Sequence, residues 1–413
     1  MNGATVATDS YTTSSPEHVT GDWFSVPSLR LRNHTFTVPL DYSRGSQSSP
    51  KITIFAREVV AVGKEDQTLP FLLFLQGGPG FECRPPTESS GWIQKRGTGL
   101  STPLSVSSMS QFKSADDLAA FLKYFRADSI VNDAEFIRVR LVPNAGPWTI
   151  LGQSYGGFCS VTYLSFAPQG LTQALLTGGI PPIGHGCTAD SVYRACFEQI
   201  MHQNEKYYKR YPQDIKIVQE LVNYLAEQEG GGVALPSGGI LTPRGLQTLG
   251  LSGLGSGTGF ESMHYMFERV WDPTLVSGSP KRISHYFLSS FENSITVDTN
   301  PLYALLHESI YCQGSPSRWS ASRIRTEVED KFDAIKSARE GLPVLFTGEV
   351  PVAAAVYYED MYVNFKLSKE TASQIAGIRL WITNEFMHSG LRDDGSKVLD
   401  HLLGMLNGKK PLF

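Results

Sequence analysis

The stretch Trp148-Thr149-Ile150-Leu151-Gly152-Gln153-Ser154-Tyr155-Gly156-Gly157 decides the fold. Its first four residues form a short apolar run typical of a buried strand, and a helical pattern follows from about Gly156 to Ser165. Small residues two positions before and after Ser154 permit the tight turn that lifts a serine hydroxyl clear of a sheet. This order predicts a nucleophile elbow with Ser154 as nucleophile. A glycine-rich turn with an ordinary serine is the alternative.

A second glycine-rich loop, Gln76-Gly77-Gly78-Pro79-Gly80, directly follows the apolar run Pro70–Leu75. Acyl transfer needs preorganised N–H donors that stabilise an oxyanion. The N–H of Tyr155 would supply one donor because it follows the nucleophile, and the N–H of Gly78 would supply the other. By itself such a loop is an ordinary turn, but its place upstream of the elbow favours this role.

A serine nucleophile needs a base, and the base needs an orienting acid. In this fold the acid and then the histidine follow the serine along the chain. His388 lies on a loop after a predicted strand, whereas His401 lies within a helical pattern and is interpreted as structural. Asp360 precedes His388 with room for one helix and one strand between them. Its neighbour Glu359 stays open as the acid.

The order of elements predicts an α/β fold, because strands and helices alternate on both sides of a long helical stretch. We expect an α/β-hydrolase core, residues 21–185 and 341–413, with a mostly helical cap, residues 186–340, inserted between its halves. Residues 1–20 are rich in Thr and Ser and are predicted to be disordered. The strands predicted after the cap are Val344–Phe346, Val352–Tyr357 and Leu380–Ile382.

Composition argues against several classes of protein. The chain has 413 residues, of which 41% are hydrophobic and 18% charged, so a large core is expected. The net charge is −4 without a basic stripe, which argues against nucleic-acid binding, and no apolar run is long enough to span a bilayer. The five cysteines fit neither a zinc site nor a disulfide framework, and the N-terminus lacks a signal-peptide pattern. We therefore expect a cytoplasmic protein without a metal.

Four motifs in combination resemble the proline iminopeptidase family of serine aminopeptidases. The resemblance implies release of an N-terminal residue, typically proline, from short peptides with a free N-terminus, without a metal or cofactor. It supports Ser154, Asp360 and His388 as the triad. The motifs are Gly77–Gly80, Arg96–Thr102, Gly152–Gly157 and Asn384–His388.

Two glutamates, Glu308 and Glu349, are candidates for binding the free amine of such a substrate. Carboxylates are the natural partners of an ammonium group. Both residues could equally be surface acids or acids that pack within the cap. The resemblance therefore makes them amine-binding candidates and leaves this alternative open.

Two departures from the family pattern indicate a shortened member. In the family an apolar strand leads into the Arg-Gly-Thr-Gly turn, but Gly91–Lys95 is not such a strand. Phe346 and Val352 are almost contiguous, which leaves no room for the crossover that parallel neighbours need. A sheet lacking a central strand would expose paired edges and open a gap in the core. Our hypothesis is an altered transcript or gene model, which a transcript encoding both segments would support.

Two other functions stay open at this point. An esterase or amidase of the same fold would act on substrates without a free amine. Alternatively, the shortened chain would be catalytically inactive and would act, if at all, as a binding partner. The sequence does not indicate an oligomeric state.

Overall fold

The computed structural model describes residues 17–44, 48–83, 85–86, 92–93, 95–184, 186–294, 300–347, 357–375 and 378–406. The strands are β1 His18–Val26, β2 Leu29–Pro39, β3 Lys51–Ala61, β4 Leu72–Leu75, β5 Trp92–Ile93, β6 Trp148–Gln153, β7 Leu171–Thr177, β8 Val233–Ala234 and β9 Ile240–Leu241. The α-helices are α1 Val106–Met109, α2 Ala115–Leu122, α3 Ala127–Leu141, α4 Tyr155–Phe166, α5 Ala189–Arg210, α6 Asp214–Glu227, α7 Pro243–Gln247, α8 Gly250–Gly253, α9 Gly259–Phe267, α10 His285–Ser294, α11 Pro301–Leu306, α12 Ser320–Glu327, α13 Glu329–Phe332, α14 Ala334–Arg339, α15 Phe365–Ala372, α16 Gly390–Asp393 and α17 Gly395–Leu406.

The chain forms two compact units. Residues 1–181 and 297–307 belong to the first, and residues 182–296 and 308–413 belong to the second. The predicted division into a core, residues 21–185 and 341–413, and a cap, residues 186–340, stays a prediction. The first strand begins at His18, within the segment predicted to be disordered, and residues 1–16 lie outside the described part of the chain.

The first unit contains a parallel sheet in the order β4-β6-β7. Leu73 pairs with Ile150, and Ile150 pairs with Ala174 on the third strand. The central strand, β6, is buried on both faces, as a continuous apolar run requires in a parallel sheet. Helix α4 follows β6 directly, so the predicted strand–turn–helix order is confirmed, and with it the α/β fold class.

A gap separates this parallel sheet from a second, antiparallel sheet in the order β1-β2-β3-β5. Within the described residues, no hydrogen-bonded ladder joins β3 to β4. A cleft of about 560 Å³ lies there, lined by Ala56–Ala61 and Phe71–Phe74 among others. In the part of the chain that the structure describes, the two-residue β5 pairs with Ala56 and Arg57. A cleft thus lies between the two sheets, and its origin in a missing central strand stays a prediction.

The second unit is mostly helical, and two of its predicted strands are wrong. Val344–Phe346 pairs with no strand in the described part of the chain, because side chains of α5 take its backbone groups instead. Asn204 accepts a hydrogen bond from the N–H of Phe346 at 2.8 Å and donates to its carbonyl at 2.9 Å, and the Tyr208 hydroxyl donates to the carbonyl of Val344.

Leu380–Ile382 is likewise not a strand. Its neighbour Thr383 forms an isolated parallel bridge with Tyr357. A single bridge cannot build a ladder, so within the described residues the segment has no partner strand. The predicted strand Val352–Tyr357 lies outside the described residues except for Tyr357.

Candidate active site

Ser154 occupies a sharp turn between β6 and α4. Its φ of 58° and ψ of −126° belong to a backbone region that non-glycine residues rarely adopt. Close packing around the turn enforces this geometry. A Cβ on Gly156 would lie 1.8 Å from the carbonyl oxygen of Leu75, and a Cβ on Gly152 would lie 2.4 Å from that of Gly156. The glycines predicted from sequence are thus required by backbone-to-backbone contact.

Backbone hydrogen bonds hold the turn in place. The N–H of Ser154 donates to the carbonyl of Thr177 on β7 at 2.9 Å, and the N–H of Gly157 donates to the carbonyl of Ser154 at 2.7 Å. Tyr155 is the first residue of α4, and the unpaired N–H groups at a helix N-terminus attract negative charge. An oxyanion that forms on a substrate attacked by Ser154 would meet this favourable field.

The loop Gln76–Gly80 runs beside Ser154 within the same unit. A Cβ on Gly77 would lie 2.8 Å from the Cβ and 3.2 Å from the hydroxyl oxygen of Ser154. Gly78 has a φ of 99°, which L-residues with a side chain avoid. Helix α11 closes the far side, where a Cβ on Gly80 would come within 2.6 Å of Leu302. The structure therefore brings the two predicted oxyanion-hole segments together.

The Arg96–Thr102 motif anchors the neighbouring chain through a buried ion pair. The guanidinium of Arg96 donates to Asp133 on α3, with an Nε–Oδ2 distance of 2.7 Å, and also to the carbonyls of Leu40 and Tyr124. Burial disfavours the guanidinium charge, but Asp133 outweighs this effect and raises the pKa of Arg96. Sequence reasoning recognised the motif and missed its partner. An aspartate amid the apolar residues of a predicted helix was the available signal.

In the second unit, His388 and Asp360 form the pair predicted for base and acid. The distance from His388 Nδ1 to Asp360 Oδ2 is 2.9 Å. The other carboxylate oxygen, Oδ1, accepts hydrogen bonds from the N–H groups of Tyr362 at 2.8 Å and Val363 at 3.1 Å. Asp360 is only 2% exposed. Its carboxylate is thus fixed, and its contact with Nδ1 leaves the Nε2 atom of His388 for other partners.

Glu359, the open alternative for the acid, has a different partner. Its side chain forms an ion pair with Lys206 on α5. Its carbonyl accepts a hydrogen bond from the side-chain amide of Gln203 at 3.0 Å. The structure therefore brings Asp360 to the histidine and ties Glu359 to a helix.

Comparison with known proteins shows a clear relationship. A proline iminopeptidase from Aeromonas sobria is 37% identical over 444 positions, which cover 94% of this chain and 98% of the relative. The chain belongs to the proline iminopeptidase family. A second member, "Proline iminopeptidase aneH" from Aspergillus aculeatus, is 30% identical and covers 91% of this chain and 93% of its own length. No family model matches the chain.

The comparison also shows that the Aeromonas relative has residues that this chain lacks. The 444 compared positions exceed the 413 residues of the chain, so the Aeromonas protein contains residues without a counterpart here.

Similar solved structures include "Crystal structure of VinJ", with a TM-score of 0.39 and 10% identity over 95% of this chain and 99% of that one. An α/β-fold hydrolase from Bacillus anthracis has a TM-score of 0.33 and 13% identity over 89% and 99%. Such low scores add nothing to the family assignment.

Of the two glutamates predicted to bind a substrate amine, Glu308 has a structural role. Its carboxylate oxygens accept hydrogen bonds from the N–H groups of Ser320 at 2.8 Å and Ala321 at 3.1 Å. These N–H groups begin α12, so a buried carboxylate satisfies donors that the helix itself leaves unpaired. Glu349 lies outside the described residues, and for both glutamates amine binding stays a prediction.

Two classes of feature are absent from the described part of the chain. None of its His, Cys, Asp and Glu side chains form a group of three that could hold a metal ion. None of its helices is long and apolar enough to cross a membrane.

Proposed function

We propose that the chain is a serine aminopeptidase that releases an N-terminal residue, preferentially proline, from short peptides. The observation that carries this proposal is the strained backbone of Ser154 beside the glycine loop, in a member of the proline iminopeptidase family. Strain of this kind persists only where the surrounding structure enforces it, and it is concentrated at functional sites.

In the proposed mechanism, Ser154 attacks the carbonyl carbon of the first peptide bond. Its hydroxyl proton passes to Nε2 of His388, while Asp360 accepts a hydrogen bond from Nδ1–H and stabilises the imidazolium that forms. The N–H groups of Tyr155 and Gly78 stabilise the oxyanion. The proton then goes to the leaving amine, and water hydrolyses the acyl-enzyme with His388 as base. The hydrogen bond between His388 and Asp360 supports these roles.

Recognition of the free amine is a further part of the proposal. A carboxylate beside the scissile bond would bind the substrate ammonium and reject blocked peptides. Both carboxylate oxygens of Glu308 already accept backbone N–H groups, which favours Glu349 for this task. A carboxylate has further lone pairs, so Glu308 remains a secondary candidate.

A cytoplasmic location also belongs to the proposal. All five cysteines are free thiols. Reducing compartments keep thiols in this state, whereas secreted proteins usually pair them. Fractionation of cells that produce the protein would test this location directly.

The first test is labelling of the purified protein with a fluorophosphonate, which reacts only with an activated serine. We expect labelling that disappears in Ser154→Ala and slows by about 1,000-fold or more in Asp360→Asn, because the histidine loses its orienting carboxylate. Glu359→Gln is the matched control, since Glu359 contacts Lys206 instead, and it should label at the original rate. Equal losses for Asp360→Asn and Glu359→Gln would contradict the assignment of the acid.

Substrates then separate the aminopeptidase from an esterase of the same fold. The proposed enzyme should hydrolyse proline amides and reject the same amides with an N-acetyl group. An esterase would ignore that group.

The cleft between β3 and β4 favours one other candidate, a shortened and inactive form of the enzyme. In that case folded, monodisperse protein would show no Ser154-dependent labelling.

A further inference from the structure

Lys95 is a buried lysine that contacts the glycine loop beside Ser154. It is only 4% exposed. Its Nζ donates hydrogen bonds to the carbonyl of Gly77 at 2.5 Å and to the carbonyl of Gln76 at 3.1 Å. The ammonium group therefore binds the two peptide units that precede Gly78 in the loop.

The planarity of the peptide bond gives these contacts a consequence for Gly78. The carbonyl of Gly77 and the N–H of Gly78 belong to one peptide unit, and in a trans peptide they point in opposite directions. Fixing the oxygen on Lys95 therefore fixes the N–H so that it points away from the lysine. A Gly-Gly peptide needs such a restraint, because residues without a Cβ rotate most freely.

The charge of Lys95 acts on the same peptide unit. Within the described residues, no carboxylate forms an ion pair with this lysine. The titratable groups around it are the thiols of Cys83 and Cys159, whose pKa values burial raises to about 12, and the ring of Tyr155 at 5.2 Å from Nζ. These groups stay neutral at neutral pH, so the ammonium polarises the Gly77 carbonyl. In a low-dielectric interior this polarisation makes the Gly78 N–H a stronger donor.

Stability does not explain a lysine at this position. Burial without an ionic partner destabilises the ammonium, and it lowers the pKa of Lys95. The neighbouring Arg96 holds the backbone beside Lys95 through its buried ion pair with Asp133. A group held in place at a cost to stability is typical of functional sites.

We propose that Lys95 is a positioning residue of the oxyanion hole, which orients and polarises the peptide unit that presents the Gly78 N–H. This inference rests on the proposed function, in which that N–H stabilises the oxyanion. It adds to that function a side chain that acts through the peptide unit between Gly77 and Gly78.

The test compares Lys95→Met, Lys95→Gln and Tyr163→Phe. Methionine fills similar space without a donor, whereas glutamine restores a neutral donor. Tyr163→Phe is the control for destabilisation, because its buried hydroxyl bonds Trp148 and Glu135 and not the glycine loop. For each variant we would measure kcat and KM on a proline amide, the rate of fluorophosphonate labelling and the thermal midpoint.

We expect Lys95→Met to lower kcat and the labelling rate by about 10- to 100-fold. This reduction is at most as large as the one caused by removing a whole oxyanion-hole donor. Its KM should change little, and its thermal midpoint should stay the same or rise. Lys95→Gln should recover part of kcat. Tyr163→Phe should lower the thermal midpoint and leave kcat near the original value.

Two results would overturn the inference while the proposed function stands. The first is an unchanged kcat in Lys95→Met. The second is that both Lys95→Met and Tyr163→Phe lower the thermal midpoint and that kcat falls with it in both variants. Absence of Ser154-dependent labelling in the original protein would overturn the proposed function and this inference together.

Discussion

The two sides of β4 differ sharply in how well they are packed. On one side, β4 pairs with β6, and the turn after β6 is so tight that Gly156 meets the carbonyl of Leu75 directly. On the other side, β4 faces a cleft of about 560 Å³ and pairs with no strand in the described part of the chain. Dense packing thus surrounds the proposed nucleophile, and the cleft lies along β4, at the edge of the same short sheet.

This difference separates two kinds of structural requirement. The elbow depends on residues adjacent in sequence and on the two neighbouring strands, β4 and β7, so it forms wherever β4, β6 and β7 pair. The cleft is lined by segments that are farther apart in the chain, Ala56–Ala61 and Phe71–Phe74, so its closure depends on how the two sheets meet. The local geometry of Ser154 therefore does not depend on close packing between the two sheets. The following predictions test this separation, beginning with the largest expected difference between two paired variants.

Gly156→Ala should show most clearly how tightly the turn after β6 is packed, because it should differ most from its control in the free energy of unfolding. The new Cβ would lie 1.8 Å from the Leu75 carbonyl oxygen, so β4 and α4 must move apart, at a cost of about 3 kcal/mol in the free energy of unfolding. Gly21→Ala on β1 is the matched control. Its Cβ would meet Asn33 at an ordinary 3.5 Å, and its effect should stay within about 0.5 kcal/mol. Urea unfolding of both variants gives the comparison, and similar values would show that the elbow is not tightly packed.

Two identical truncations on neighbouring strands probe the cleft. Leu151 on β6 is 4% exposed in a packed environment, and Leu73 on β4 is 2% exposed but lines the cleft. We expect Leu151→Ala to cost about 4 kcal/mol and Leu73→Ala about 2 kcal/mol, because a side chain beside a void has fewer contacts to lose. Differential scanning calorimetry would measure both. A larger loss for Leu73→Ala would indicate that the cleft is filled in solution.

The smallest expected effect is a pH dependence at Lys95. Burial lowers the pKa of Lys95 in the folded protein. In the unfolded chain the lysine has its ordinary pKa of about 10.4. At a pH between these two pKa values, the unfolded chain binds more protons than the folded one. Stability from this group therefore rises with pH in that window and is lost as pH falls through the lowered pKa. Lys95→Met should be the more stable variant near pH 7, with the difference shrinking toward pH 10.

Urea unfolding of the original protein and of Lys95→Met at several pH values would measure this difference. The groups facing Lys95 are Cys83, Cys159 and Tyr155, and all three are present in both proteins. Their titration therefore affects both unfolding curves. A constant difference in stability from pH 7 to pH 10 would contradict the lowered pKa.

Much of the site could be predicted because its patterns are local. Glycines around Ser154, an apolar run before them and a glycine loop upstream encode a turn that few other sequences allow. The pairing of His388 with Asp360 also agrees with the prediction, because the order of residues along the chain restricts the choice. Val344–Phe346 was predicted as a strand and is not one, because Asn204 and Tyr208, distant in sequence, bind its backbone.

The sequence by itself determined the elbow, the glycine loop and the resemblance to the family, since each depends on neighbouring residues with restricted backbone conformations. Only the tertiary structure decided which carboxylate meets His388, that Glu308 caps a helix and that Lys95 binds the glycine loop. Each of these outcomes depends on which polar side chain is buried against which hydrogen-bonding partner. That choice follows from contacts between segments far apart in the chain, where composition and periodicity carry no information about distance.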